Sequence, residues 1–118
     1  LQKTLSAYPD REPAILVLTT APNGEVAAEL ATTLVDERLV ACVSRMPGVI
    51  SRYRWQGTVE EATEVLVILK TRASLEGALL RRLVELHPYD VPEVLVLPVA
   101  GGHPPYLDWL TEATQPEG

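Results

Sequence analysis

The chain has 118 residues, a length that suits one domain with its own hydrophobic core. Hydrophobic residues make up 47% of it, and the net charge of −6 argues against a protein that binds nucleic-acid phosphates through a basic face. The single cysteine, Cys42, excludes an internal disulfide and a cysteine-rich zinc site, and it favours a reducing, cytoplasmic setting. No apolar run approaches the ~20 residues of a membrane-spanning helix.

The first half of the chain predicts a strand followed by a helix. Residues 1–13 are polar, contain two prolines and lack the apolar stretch of a signal peptide, so we expect a flexible arm. AILVLTT (14–20) is a short apolar run between prolines, as expected of a buried strand. Asn23 then caps a helix whose apolar spacing continues to about Arg38.

The middle of the chain predicts two strands. Residues 40–57 indicate one long strand, bent at the Pro47-Gly48 break. The residues from Thr58 to Thr63 are expected to turn the chain, and EVLVILKT (64–71) is typical of a second buried strand.

The next segment predicts a helix that ends abruptly. Ser74 is a plausible N-cap. The helix must stop by His87, because a residue that precedes proline disfavours the helical conformation. One apolar stripe at helical spacing is formed by Leu75, Leu79, Leu83 and Leu86.

The last third predicts one strand and one short helix. EVLVLP (93–98) indicates a fourth strand. Pro105 is expected to begin a helix through YLDWLTEA, and residues 113–118 are expected to form a loose tail. The single domain is therefore placed at residues 14–112.

The element order β-α-β-β-α-β predicts an α+β fold of the ferredoxin-like, split-βαβ type, with an antiparallel sheet and a short C-terminal helix. Two helices cover one face of such a sheet. The mainly apolar strands at 14–20 and 64–71 are typical of strands buried on both faces, so the second face must be covered by another part of the protein or another subunit. Because the long strand at 40–57 also offers an edge for pairing, the pattern predicts a homo-oligomer.

Four stretches in this order resemble the CutA divalent-ion tolerance proteins. They span about Ala14 to Leu110 and read LVACVSRMPGVISRYRWQGTVEE (39–61), EVLVILKTR (64–72), HPYDVPEVLVLPV (87–99) and YLDWL (106–110). The resemblance implies a ferredoxin-like subunit in a tight homotrimer, in the cytoplasm, without enzymatic activity. It implies a role in tolerance of copper and other divalent cations, exerted by binding a metal ion or an unknown protein partner. It implies no required cofactor, no nucleic acid and no membrane.

An alternative is a small-molecule sensor similar to the trimeric PII signalling proteins, which share this subunit fold. Its ligand would lie in clefts between subunits. The sequence lacks G-x-S-x-G, P-loop and G-x-G-x-x-G motifs, so it offers no standard nucleophile or nucleotide fingerprint.

Two residues are candidate metal ligands. The imidazole of His87 and the thiolate of Cys42 both suit copper. Some bacterial relatives carry two adjacent histidines and a cysteine on the first strand, but the matching positions here are Leu86, His87 and Thr19. The alternatives are that His87 caps the C-terminus of its helix and that Cys42 packs as a small buried hydrophobe.

The remaining candidates are expected to line a cleft or an interface between subunits. A polar pocket formed by Tyr53, Glu64 and Lys70, across adjacent strands or subunits, is one such arrangement. The tyrosine and tryptophan rings suit interfaces because an apolar body carries a polar tip. The full set of cleft or interface residues is Tyr53, Trp55, Glu64, Lys70, Tyr89 and Trp109.

Overall fold

A computed structural model describes residues 12–116 of the chain. It forms four strands and three helices. In chain order they are β1 (Ala14–Ala21), α1 (Gly24–Asp36), β2 (Cys42–Trp55), β3 (Thr58–Arg72), α2 (Glu76–Leu86), β4 (Leu95–Pro98) and α3 (Pro104–Ala113).

The strands form one antiparallel sheet in the order β2-β3-β1-β4. The predicted split-βαβ fold is therefore confirmed, because β3 lies between the two strands that α1 connects. The first helix begins as expected, with the side chain of Asn23 accepting a hydrogen bond from the Val26 amide at 2.9 Å.

The core lies between one face of the sheet and helices α1 and α2. Alternate residues of each strand point to this side, so the pleat selects the core residues. Strand residues Val17 and Leu69 face each other in register and pack with Leu34 of α1 and Leu83 of α2. All four side chains are buried. A smaller cluster joins α3 to the start of β1.

The opposite face of the sheet is aliphatic, and the rest of residues 12–116 leaves it uncovered. Residues paired across antiparallel strands share a side, so the positions that alternate with the core residues point here. Leu95 is 55% exposed on this face, although it is a large apolar side chain. We call this surface the open face, and its aliphatic side chains are Leu16, Leu18, Met46, Leu66, Ile68, Leu95 and Leu97.

Strands β2 and β3 form a long hairpin, of which residues 52–61 are all exposed. The predicted bend at Pro47-Gly48 is confirmed as a register shift between Met46 and Val49. The predicted turn at residues 58–63 is wrong. Gln56 and Gly57 both have positive φ, as in a type I′ two-residue turn, so β3 already begins at Thr58.

Three helix and strand boundaries also differ from the expectation. A single 3-10 turn (Ala73–Leu75) precedes α2, so Ser74 lies inside that turn and its side chain caps nothing. Helix α3 begins one residue early, at Pro104, since proline needs no amide partner in a first turn. Strand β4 begins at Leu95, two residues late.

Glu12 and Thr114, which belong to the arm and tail predicted at the two ends, both contact the sheet. Of the arm at 1–13, residues 1–11 lie outside the described residues, but the Glu12 carboxylate accepts hydrogen bonds from the Arg72 guanidinium and the Ser74 amide. Thr114 belonged to the predicted loose tail at 113–118. It is buried, and its hydroxyl accepts a hydrogen bond from Arg72 at 2.9 Å. Arg72 therefore ties both ends of the domain to β3.

Replacing Thr71 by valine is expected to stabilise the protein. The Thr71 side chain is 0% exposed, and its hydroxyl has no hydrogen-bond partner in residues 12–116. Valine has the same shape without that unpaired polar group, so the free energy of unfolding should rise by ~1–2 kcal/mol. Urea unfolding at matched protein concentration measures this. Thr32→Val, on the exposed side of α1, is the control, and an equal gain there would refute the explanation.

Candidate functional site

A cleft of about 610 Å³ opens between the β2–β3 hairpin and the segment that follows α2. This volume lies within the range of sites that hold small molecules. One wall is formed by Ser51, Arg52, Tyr53 and Trp55 of β2, with Glu60 and Glu64 of β3 beside it. The other wall is formed by Tyr89, Asp90, Val91 and Glu93. The hairpin register places the β2 and β3 residues together, whereas only tertiary folding brings in the segment at 89–93.

His87 anchors the second wall at the end of α2. It is the C-cap residue, and its extended backbone ends the helix where the sequence predicts. The Tyr89 amide donates to Nδ1 at 3.1 Å, so Nδ1 is the unprotonated nitrogen. Nε2 therefore carries the proton and donates it to the Thr20 carbonyl of β1 at 2.7 Å. In this neutral tautomer neither ring nitrogen has a free lone pair for a metal.

Tyr89 connects this anchor to a buried carboxylate. Its ring lies against the His87 imidazole, with 4.7 Å between ring centroids. Its hydroxyl donates to Oε2 of Glu64 at 2.8 Å. Burial, followed by the hydrogen bond to Glu64, raises the pKa of Tyr89 to about 12. The phenol is thus held as a neutral donor at physiological pH.

Among residues 12–116, four carboxylates and one guanidinium line the cleft. The carboxylates are those of Glu60, Glu64, Asp90 and Glu93. The guanidinium belongs to Arg52, and it forms a salt bridge with Glu61 at 3.2 Å. The cleft is therefore strongly acidic.

The acidic side chains are too dispersed to chelate one ion within a subunit. Nowhere in residues 12–116 do three or more His, Cys, Asp or Glu side chains come together as metal ligands would. His87 contacts Tyr89 at the end of α2, whereas Cys42 lies on β2 opposite Lys70. The two predicted metal ligands therefore do not meet within the subunit.

The predicted pocket of Tyr53, Glu64 and Lys70 does not form within the subunit. Lys70 lies six residues along β3 from Glu64, a separation of about 20 Å. Its ammonium group lies 3.2 Å from the Ser44 hydroxyl and 3.9 Å from the Cys42 sulfur. Cys42 is half-buried in the subunit, on the same side of the sheet as Lys70.

The aromatic candidates separate into two groups. Tyr53, Trp55 and Tyr89 all line the cleft. Trp109 is instead exposed on α3, where its ring lies 5.5 Å from that of Tyr106.

Comparison with known proteins identifies the family. A family profile described as CutA1 divalent ion tolerance protein matches residues 15–113. The chain belongs to this family. The resemblance inferred from the four sequence stretches is thus confirmed over most of the chain.

Relatives in bacteria, animals and plants have similar sequences and are named CutA. The divalent-cation tolerance protein CutA of Thermus thermophilus is 50% identical over 99 residues, which cover 84% of this chain and 96% of the relative. Protein CutA of Mus musculus is 47% identical over 96 residues, covering 81% of this chain and 54% of the mouse protein. An Arabidopsis thaliana relative is named as chloroplastic.

Solved CutA structures have the same fold. CutA1 from Oryza sativa has a TM-score of 0.86 at 44% identity, with 90% of this chain and 97% of that one covered. A protein from Archaeoglobus fulgidus, titled a periplasmic divalent cation tolerance protein CutA, has a TM-score of 0.84 at 31% identity, with 86% and 99% covered. No helix formed by residues 12–116 has the length and apolar character to cross a membrane.

Sequence reasoning missed two features of this CutA cleft. Thr20 contributes through its backbone carbonyl, which every residue type carries, so no sequence signal could identify it. Glu64 was a candidate, but its burial and its link to Tyr89 could not be read from the sequence. The HPYD stretch carried the useful signal, because it places His87 and Tyr89 two residues apart.

The raised pKa of Tyr89 predicts a loss of stability at high pH. An unfolded tyrosine ionises near pH 10, whereas the folded protein keeps this phenol protonated up to about pH 12. The stability that the protonated phenol contributes is therefore complete below pH 10 and disappears as the pH rises through 12. Urea unfolding from pH 9 to 12 should show a smaller decline for Tyr89→Phe than for the wild type. Parallel declines would contradict the pKa shift.

Proposed function

We propose that this chain supports tolerance of divalent cations, copper among them, as a non-enzymatic homotrimer that acts on a metal ion or on an unknown protein partner. The observation that carries the proposal is the family match over residues 15–113. The name of the Thermus thermophilus relative, 50% identical, supports the same role.

The open face supports self-association. Its aliphatic side chains run across all four strands, and covering them by another subunit would remove them from water. The exposed hairpin offers a free β2 edge to a neighbouring chain. These features argue for an oligomer, and family membership argues for three subunits.

The distribution of ligands argues that any metal site would combine several subunits. The described residues of one subunit hold no group of three potential ligands, so neighbouring subunits or a partner must complete the coordination shell. Cys42 is the better candidate of the two predicted ligands, because both nitrogens of His87 are already engaged. We place this function in the cytoplasm, where a free thiol persists.

Complementation tests the proposed role. The chain should restore growth on copper to a bacterial strain that lacks its own CutA, and light scattering should give three times the subunit mass. Calorimetry with copper and zinc, on the wild type and on Cys42→Ser and His87→Ala, separates direct metal binding from action through a partner. Failure to restore growth by a correctly assembled protein would refute the cation-tolerance role.

A small-molecule sensor similar to the PII proteins is the second candidate. The acidic, aromatic cleft of about 610 Å³ supports it, since this is the size of a ligand rather than of a bare ion. Binding of a metabolite without any response to metal would favour this function over the first.

A further inference from the structure

The open face carries opposite charges at the two ends of β3. Alternate residues of this strand point to the open face, so Leu66 and Ile68 form an aliphatic middle between Glu64 and Lys70. Glu64 lies at the end next to the hairpin, and Lys70 lies at the other end, about 20 Å away. Within residues 12–116 neither side chain forms a salt bridge, and Arg72 beyond Lys70 already pairs with Glu12.

Covering the open face would remove both of these charges from water. Glu64 is 8% exposed and Lys70 is half-buried even in the single subunit. Their nearest hydrogen-bond partners within it are neutral: the Tyr89 hydroxyl donates to Glu64, and the Lys70 ammonium lies 3.2 Å from the Ser44 hydroxyl. A buried charge that has only neutral partners is costly, and an opposite charge beside it offsets much of that cost. A neighbouring subunit is therefore expected to bring each group a countercharge.

The hairpin indicates how neighbouring subunits would be oriented. It runs beyond its own sheet at the Glu64 end, and its side chains Ile50 and Val59 are exposed. If the strands were parallel to a threefold axis, three hairpins would project from one end of the trimer with these side chains in water. Strands that run around the axis instead lay each hairpin on the next subunit. Such a head-to-tail ring brings the Glu64 end of one sheet to the Lys70 end of its neighbour.

We propose that Glu64 of each subunit forms an ion pair with Lys70 of the neighbouring subunit, repeated around a head-to-tail homotrimer. The Tyr89 hydroxyl already occupies Oε2 of Glu64, so the ammonium group binds Oε1. This is the inter-subunit form of the polar pocket that the sequence suggests. The inference rests on the proposed homotrimer, and it adds the register in which the subunits meet.

Charge reversal tests the pair, because the two side chains cannot meet within one subunit. Glu64→Lys and Lys70→Glu each place like charges together at every subunit contact, so each variant should dissociate at a lower urea concentration than the wild type. The double variant restores opposite charges and should recover most of that loss. Light scattering along a urea titration, on the full-length chain at one protein concentration, measures the midpoint of dissociation.

Arg81 provides the control for net charge. It is exposed on α2, in the helix layer on the other side of the sheet. Combining Glu64→Lys with Arg81→Glu gives the same net charge as the double variant but leaves Lys70 in place. The midpoint should therefore stay as low as in Glu64→Lys alone. Equal recovery from Arg81→Glu and from Lys70→Glu would overturn the pairing.

Neutral replacements keep the proposal testable if a charge-reversed chain fails to fold. Glu64→Gln retains an acceptor for the Tyr89 hydroxyl, and Lys70→Met retains most of the aliphatic side chain. For an ion pair, the combined variant should lose less than the sum of the two single losses in urea midpoint, because the second replacement removes a charge that already lacks its partner. Strictly additive losses would refute the ion pair.

The same measurements separate this inference from the homotrimer itself. A wild-type chain that is monomeric in the absence of urea would overturn both. A wild-type trimer in which neither the charge reversals nor the neutral replacements show coupling between positions 64 and 70 would overturn the ion pair alone.

Discussion

Replacing Leu95 by glutamate is expected to yield monomers in place of the proposed trimer. Leu95 is 55% exposed on the open face, so a glutamate there is solvated in an isolated subunit. In the assembly the same carboxylate would be buried against aliphatic side chains without a partner, at a cost of ~3–5 kcal/mol for each subunit. Light scattering during size-exclusion chromatography measures the resulting mass.

Val84 provides the matched control for this prediction. It is 51% exposed, but it lies on α2, in the helix layer that covers the other side of the sheet. Val84→Glu should therefore retain the wild-type mass. A trimer that persists in Leu95→Glu, or equal dissociation in the two variants, would show that the open face is not the surface through which subunits associate.

Replacing His87 by alanine is expected to produce a large loss of stability. The imidazole satisfies the Thr20 carbonyl and the Tyr89 amide, and alanine leaves both groups without this partner. Each unpaired buried polar group costs ~1–3 kcal/mol, so the free energy of unfolding should fall by about 3 kcal/mol. Urea unfolding at one protein concentration measures the difference.

The second histidine of the chain is the control. His103 is exposed at the N-cap of α3 and makes no capping hydrogen bond with its side chain, so His103→Ala should change stability by less than ~0.5 kcal/mol. Metal affinity in His87→Ala decides between the two interpretations of this residue. A structural histidine leaves metal binding intact in the folded variant, whereas a ligand abolishes it at unchanged stability.

The local errors of the sequence-based predictions have two physical origins, turn geometry and contacts distant in sequence. Polar residues after Gly57 suggested a turn, but the positive φ of Gln56 and Gly57 completes the reversal in two residues. Ser74 suits an N-cap, yet its amide bonds to Glu12, which is 62 residues away in sequence. Local propensity cannot anticipate a partner supplied by another part of the chain.

The structure brings some of the predicted site residues together and separates others. Glu64, Tyr53 and Tyr89 were recognised as cleft residues, and the structure brings all three to one cavity. Lys70 was grouped with Glu64 and Tyr53 in a polar pocket across adjacent strands or subunits. The extended geometry of β3 instead separates it from Glu64, and it lies with Ser44 and Cys42.

The sequence by itself determined the order of the elements, the face of each strand and helix that is apolar, and the family. These features depend on periodicity and on short motifs, which local residue types encode directly. The tertiary structure alone decided that both nitrogens of His87 are occupied, that Tyr89 reaches Glu64 and that this carboxylate is buried within the subunit. Those properties depend on distances between residues far apart in the chain, and only the packed fold sets these distances.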